Sequence, residues 1–358
     1  MRREIETIDA FDGQVRTERS LAGCVVQALD LRGRAHVLER VPVHDAFFLG
    51  CRMRHRTAAG LAERGASIFP RLPQLPFDAY RSRLYAAEDL YAGLPGGYAS
   101  TPDAHVYGWT LRERSRLLDA TLAQSLHDHF ISDALLDVVT SPGAGVGVMG
   151  GHTVARGTRE FDQAARMGHG LAEAGHLVLT GGGPGAMEAA NLGASFRADA
   201  GELDQACAEL ARVPSFAPDA GAWAVAAFEV KQRWDCSRAT VGVPTWFFGH
   251  EPPNVFATAI AKYFDNAIRE DMLLRLCGAG LVYMPGRAGT TQEVFQALTR
   301  NYYALEHHEL RPMVLVGREY WTRTVPAWPL MTALARGRIM ETHVYLVDTV
   351  DEVLRILT

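Results

Sequence analysis

From about residue 140 onward, short apolar runs alternate with longer amphipathic stretches. The runs are Val146 to Met149, His176 to Thr180, Val241 to Phe248, Leu281 to Met284, Met313 to Val316 and Val344 to Val347, all of strand length. Between them, apolar residues recur at helical spacing over about 158–174, 185–197, 254–277, 290–306 and 350–357. Strands that alternate with helices predict an α/β domain: a Rossmann-like open parallel sheet with helices on both faces, here over residues 141–358. The stretch at about 199–238 exceeds an ordinary crossover and contains "ELDQACAELARV" and "AWAVAAFEVKQRW", so it reads as a helical insertion.

Residues 1–140 follow another pattern and are expected to form an N-terminal α+β extension of short strands, an irregular arm and a helix leading into the sheet domain. In that helix Leu111, Leu117, Leu118, Leu122, Leu126 and Phe130 are spaced to pack against the sheet domain. Residues 71–109, rich in Pro, Gly and Tyr, read as the irregular arm. Earlier, Leu21, Val26, Leu31, His36, Val41, Ala46 and Cys51 stand five apart, which fits a small β-solenoid or ordinary β-hairpins.

Composition narrows the class. The 358 residues, 48% apolar and 22% charged, can bury a sizeable core. No apolar run approaches the roughly 18 residues of a membrane span, and the start "MRREIETIDAFDGQ" lacks the apolar core of a signal peptide, so a cytoplasmic location is expected. Five cysteines with no C-x-x-C pair argue against a disulfide framework or a zinc knuckle. A net charge of −5 argues against non-specific nucleic-acid binding, which needs a basic face.

Candidate chemistry lies where strands stop. "LVYMPGRAGTTQEVFQAL" breaks at Pro285, passes Gly286, Arg287, Ala288, Gly289 and Thr290, and becomes helical, with Thr290 or Thr291 suited to cap the helix. "LVLTGGGPGAMEAANLGA" does the same through Gly181, Gly182, Gly183, Pro184 and Gly185 into a helix carrying Met187. "VGVMGGHT" ends its strand on Gly150, Gly151 and His152. Such turns aim backbone N–H groups at an anion beyond the carboxyl ends of the strands. One turn of this kind is commonplace; three on neighbouring strands point to a ligand carrying a phosphate.

G-G-G-P-G-A-M after one strand and P-G-x-x-G-T-x-x-E after a later one resemble the Lonely Guy family, often mislabelled lysine decarboxylases, whose better-characterised members are nucleoside 5′-monophosphate phosphoribohydrolases. The resemblance covers residues 141–358, and the first 140 residues suggest a longer bacterial subgroup. It implies a Rossmann-like fold, a homodimer, no redox cofactor and cleavage of the N-glycosidic bond between a base and ribose 5-phosphate, with AMP or N6-modified AMP as expected substrates. The family usually shows P-G-G-x-G-T-x-E-E, whereas this chain has Arg287 for the second glycine and Gln292 for the first glutamate. Gln292 cannot act as a base, so Glu293 is the expected catalytic carboxylate. The family's arginine, on the helix before this strand, matches Arg269, with Arg275 as the alternative register.

The carboxylate suits the chemistry, because N-riboside hydrolysis passes through a cation resembling an oxocarbenium ion, which an adjacent negative charge stabilises. In "VPTWFFGHEPPNVFATAIAKYF", His250, Glu251 or Asn254 could contact the base or ribose, with Asn254 also placed to cap a helix. Phe256, Ile260 and Phe264 would line that helix as an apolar face for self-association. In "HDH" at 127–129 the two histidines fall on different faces of a helix, which disfavours a metal site. Of the only two lysines, Lys231 falls in the insertion and Lys262 in mid-helix, neither at a strand tip, so Schiff-base decarboxylation has no nucleophile. A reading from another class is a nucleotide or pterin-cofactor carrier or sensor, which would need the glycine turns but not Glu293.

Overall fold

The computed structural model describes residues 2–72, 75–139, 145–247 and 251–358. Its contacts separate two units: residues 1–83 with 111–134, and residues 84–110 with 135–358. The segment 84–110, grouped by sequence with the extension, packs within the second unit.

The first unit carries four strands, β1 Glu4–Ile5, β2 Val25–Gln27, β3 Phe47–Leu49 and β4 Ser67–Phe69, all parallel and in sequence order. Register partners Glu4, Val25, Phe47 and Ser67 lie 20 to 22 residues apart, and each link carries helix: Ile8–Glu18, Ala35–Leu38 and His55–Glu63. Hairpins are therefore the wrong reading, since a parallel pair needs a crossover of about a dozen residues. The five-residue spacing reflected buried positions of this longer repeat: Leu21, Val26, Leu31 and Ala46 lie in its core with Ile5, Phe11, Phe48 and Leu61, while His36 is exposed. Helix Leu118–Val138 also departs from expectation. Leu111, Leu117, Leu118 and Leu122 are exposed, Leu118 by 76%, and the helix buries Ala120, Ala123, His127, Ile131 and Ala134 instead. Small residues allow close packing that a leucine stripe would prevent.

The second unit is built on seven parallel strands: β5 Gly145–Met149, β6 Leu177–Thr180, β7 Thr240–Gly242, β8 Ala259–Ile260, β9 Gly280–Tyr283, β10 Met313–Val316 and β11 Val344–Val347. Their spatial order is β11-β10-β9-β5-β6-β7-β8. This is the expected Rossmann-like α/β sheet. The strands β5, β9 and β10 are buried along their whole length, which is why they read as unbroken apolar runs. From β5 the strands are added outward in one direction as β6, β7 and β8 and then, from β9, in the other, so the carboxyl ends of β5 and β9 flank a topological switch point, where open α/β sheets bind ligands. Helices Ala200–Leu210 and Ala220–Arg233 occupy the insertion, each capped by an aspartate, Asp199 or Asp219. Among the described residues no helix is long and apolar enough to cross a membrane.

The expected helix at 254–277 is not continuous. β8 intervenes, and the helix proper, Asn266–Leu276, starts at the Asp265 cap. Phe256, Ile260 and Phe264 are fully buried within this unit, so they form no docking face, and a homodimer would have to use another surface. The apolar spacing came from a segment buried on all sides, for which periodicity cannot separate helix from strand. Tyr85 exchanges two backbone hydrogen bonds with Ile260, and Tyr91 donates to the Pro253 carbonyl at 2.6 Å, tying segment 84–110 to this strand. Lys262 is not in mid-helix; it follows β8, is buried, and pairs with Asp103 at 2.6 Å.

Candidate active site

The three glycine turns meet at the switch point. Gly151 donates its backbone N–H to the Pro285 carbonyl at 3.0 Å, joining the turns after β5 and β9, and Ala186 N–H donates to the Gly151 carbonyl at 3.2 Å, joining the turn after β6. Gly182 and Gly185 have φ of +70° and +73°, the left-handed region in which a side chain is strained. A Cβ at Gly185 would also strike the backbone of Gly151 and His152, so contact between the turns depends on glycine there.

Two helices open at this crevice without a side-chain cap. Gly185 precedes helix Ala186–Ser195, and Arg287, at φ −99°, precedes helix Ala288–Tyr303. The expected cap from Thr290 or Thr291 is not made: Thr291 Oγ1 donates to the Arg287 carbonyl, and Thr290 is buried against Gly286. Six helices elsewhere carry side-chain caps, from Thr7, Thr158, Asp199, Asp219, Asp265 and Thr349, although His55–Glu63 and Ala327–Ala335 do not. Apart from that of Ala186, which the Gly151 carbonyl takes, first-turn N–H groups at the two crevice helices are left available to an anion. Arg287, Ala288 and Gly289 are exposed at the second of these openings, and Arg287, lacking a positive φ, stands where the family pattern has glycine without backbone strain.

One turn into helix Ala288–Tyr303, Glu293 is buried and its Oε1 accepts from Arg269 Nη1 at 3.1 Å. Of the two candidate arginines it is Arg269 that reaches Glu293, whereas Arg275 donates to the Met272 sulfur. Arg269 is anchored through Nε and Nη2 on Asn266 Oδ1 at 3.1 and 2.7 Å. A Cβ on Gly181 would come within 3.6 Å of Arg269 Nη1, so the turn after β6 borders the pair directly. Burial pushes the Glu293 carboxyl up to about 7; the Arg269 cation opposes this, while the negative charges of Glu270 and Glu251 add to it. Its Oε2 accepts no hydrogen bond from the described residues.

Glu251 stands across the crevice, part exposed and paired with His152 Nδ1 at 3.0 Å. Its Oε2 lies 3.1 Å from a Cβ built on Gly183, which Met187 also contacts. His250 lies outside the described residues. Asn254 is buried beneath the turn: its Nδ2 donates to the Gly183 carbonyl at 3.1 Å and its Oδ1 accepts from the N–H of Phe256 and Ala257. It caps a turn rather than a helix, and it steadies the glycine loop from below.

Several residues that shape the site were not legible as motifs. Arg156 and Glu188 form a buried pair, Nε to Oε1 at 3.1 Å, that clamps the loop after β5 to helix Ala186–Ser195. Tyr320 donates to the Gly286 carbonyl at 2.7 Å. Glu270 takes hydrogen bonds from Asn266 and Gln292 beside the Arg269–Glu293 pair. The available signal was a lone charge in a small-residue or apolar stretch, as at Arg156 and Glu188, which burial obliges to find a partner.

Residues 221–358 match the family model described as "Possible lysine decarboxylase". The match covers less than half of the chain, and that part is similar to this family. The match takes in the turn after β9, Arg269 and Glu293, and it agrees with the family that the motifs resemble. No curated protein matches the chain. Among solved structures, the molybdenum cofactor binding protein from the phototrophic bacterium Rippkaea orientalis is similar at 18% identity, with 59% of this chain and 93% of that one covered and a TM-score of 0.37. The molybdenum cofactor carrier protein from Chlamydomonas reinhardtii is similar at 20% identity, with the same shares and a TM-score of 0.36. At these scores neither likeness bears on the ligand or chemistry of the present chain.

Proposed function

We propose that the crevice binds a nucleoside 5′-monophosphate and hydrolyses its N-glycosidic bond, releasing free base and ribose 5-phosphate. One observation carries the reading: a buried carboxylate with a cation at 3.1 Å sits one turn inside an uncapped helix that opens on three joined glycine turns. The phosphate takes backbone N–H groups of 286–290 together with those near 150–152 and 181–187 that the turns leave unused, which excludes those of Gly151, Gly182 and Ala186. The ribose then lies beside Glu293, and Glu251 and Met187 are left to face the sugar or base.

Glu293 in its charged form steadies the cation that develops as the bond to the base lengthens. It accepts a proton from the water that adds to C1′, and that proton leaves on the departing base. A carboxyl brought to about 7 can hold and release a proton near neutral pH, which suits this exchange. Arg269 orients the carboxylate from 3.1 Å. A carrier of a nucleotide or pterin cofactor would use the same turns but would gain nothing from a buried carboxylate that is costly to ionise.

The test is ribose 5-phosphate release from AMP, N6-modified AMP and the other monophosphates, with Glu293→Gln alongside. Wild type should turn over at least one substrate, and the variant's kcat should fall by roughly 10²-fold while nucleotide Kd changes less than about threefold. An unchanged rate in the variant rejects the carboxylate; binding without turnover by wild type transfers the site to the carrier class.

A further inference from the structure

Gln292 is where this chain departs from the family's acidic position, and its contact gives the departure a physical content. Its Nε2 donates to Glu270 Oε2 at 2.6 Å, and Glu270 is 2% exposed. Glu270 Oε1 accepts from Asn266 Nδ2 at 2.8 Å and lies 3.5 Å from Arg269 Nη2. Asn266 Oδ1 in turn receives Arg269, whose remaining nitrogen reaches Glu293 at 3.1 Å. The order across two helices is thus Gln292 to Glu270, Asn266 to Glu270, Arg269 to Asn266, and Arg269 to Glu293. The Asn266 amide has one orientation that satisfies both of its neighbours, and Gln292 must present its NH2 to Glu270, so the network has a single direction.

We propose that Gln292 and Glu270 form a positioning pair that holds Arg269 against Glu293, so that position 292 must supply a neutral donor while position 270 is acidic. The proposal rests on the hydrolase reading for its effect on rate, but not for the pairing itself. A glutamate at 292, whose side chain reaches from an exposed position to the buried Glu270, would set two carboxylates at hydrogen-bond distance with one cation among three acids. Either a proton is taken up, or Arg269 is drawn toward the new charge and away from Glu293. The groups facing Glu293 are Arg269 and Glu270 from helix Asn266–Leu276, Tyr283 from β9 and Glu251 from beyond β7, and only the first is cationic.

The experiment compares Gln292→Glu, Glu270→Gln and the double exchange in the full chain. Gln292→Glu should lower kcat about tenfold or more with little change in KM, and should move the acid limb of the kcat–pH profile to higher pH. Glu270→Gln should move that limb to lower pH, because a negative charge beside Glu293 is lost. The double exchange restores one donor and one acid with the roles reversed, and should return kcat to within about threefold of wild type. A packing role alone would change melting and rate together and leave the pH profile in place, which overturns the proposal. So does a double exchange no better than Gln292→Glu. Carboxyl titration of Glu293 by isotope-edited infrared spectroscopy gives a readout that needs no turnover: it should rise in Gln292→Glu and return in the exchange. If wild type hydrolyses nothing yet the titration follows this pattern, the hydrolase reading fails and the pairing stands. If hydrolysis is present but the titration does not move, the pairing fails alone.

Discussion

Lys262–Asp103 and Arg269–Glu293 are both buried cation–carboxylate pairs of the sheet-bearing unit, at 2.6 and 3.1 Å, yet their surroundings differ. Asp103 is saturated: Oδ1 accepts from Lys262 Nζ and from Trp246 Nε1 at 2.9 Å, and Oδ2 accepts from the Tyr98 hydroxyl at 2.6 Å. Lys262 also lies 5.2 Å from the centre of the Trp246 ring. Burial pushes the ammonium's pKa down and Asp103 pushes it back up, an electrostatic balance closed to water. Among the described residues Glu293 has one donor, two further carboxylates nearby and an oxygen that accepts no hydrogen bond, and burial forces it up toward neutrality. The first pair fastens segment 84–110 to the strand after β7. The second holds a carboxyl that burial makes costly to ionise, and this difference separates a structural ion pair from a candidate catalytic one.

The largest effect should come from breaking the saturated pair. Lys262→Met leaves Asp103 buried with its charge uncompensated, and destabilisation of about 3–5 kcal/mol is expected in urea unfolding. The folded fraction should bind nucleotide as wild type does. A loss below about 1 kcal/mol would mean that Tyr98 and Trp246 suffice to hold the carboxylate and that the pair is not the fastening described.

The unsaturated pair should respond in the opposite direction. The Glu293 carboxyl is raised from 4.5 to about 7, so the folded state binds its proton more tightly than the unfolded chain does. The stability it lends is fully present below about pH 4.5 and is lost as pH rises through about 7. Glu293→Gln mimics the protonated form at every pH. It should therefore be more stable than wild type at pH 8, by about 2 kcal/mol, with the gain fading as pH falls from 7 to 4.5. Thermal melts across that range would reject the assignment if the variant were less stable at pH 8, or if the difference were independent of pH. Stability gained with activity lost is the expected signature of a strained functional group.

The same contrast explains what was legible in the sequence. The sheet, with six of its seven strands as apolar runs, and the three glycine turns follow from local composition, whereas Glu293 and Arg269 are singled out only by the family resemblance. What escaped depends on partners distant in sequence. Lys262 and Asp103 are 159 residues apart, and nothing near either announces the other. The segment through Phe256, Ile260 and Phe264 is buried on every side, so its apolar spacing carries no period to separate strand from helix. The parallel repeat of the first unit is short and degenerate, and only the alignment of Val25, Phe47 and Ser67 across its strands reveals it. The Gln292 departure likewise acquires meaning only once Glu270 stands 2.6 Å away.

The smallest effect on stability, and the most selective one on binding, is expected at Gly289. A side chain there meets nothing within 4 Å, and the position is exposed in the first turn of helix Ala288–Tyr303 with no positive φ to satisfy. Gly289→Asp should therefore fold normally. Relief from the entropy cost of glycine and an acid near the helix N-terminus both favour it slightly, so the change in stability should stay within about 0.5 kcal/mol or be a small gain. The same carboxylate would occupy the place proposed for the phosphate and repel it, so AMP affinity should fall about tenfold or more, and the loss should shrink as salt is raised. Gly289→Ala supplies the control, adding a methyl group without charge, and should bind nearly as wild type does. If the aspartate variant keeps full affinity, the phosphate does not sit at this helix, and Glu293 loses its ribose; if alanine and aspartate weaken binding equally, the effect is shape and not charge.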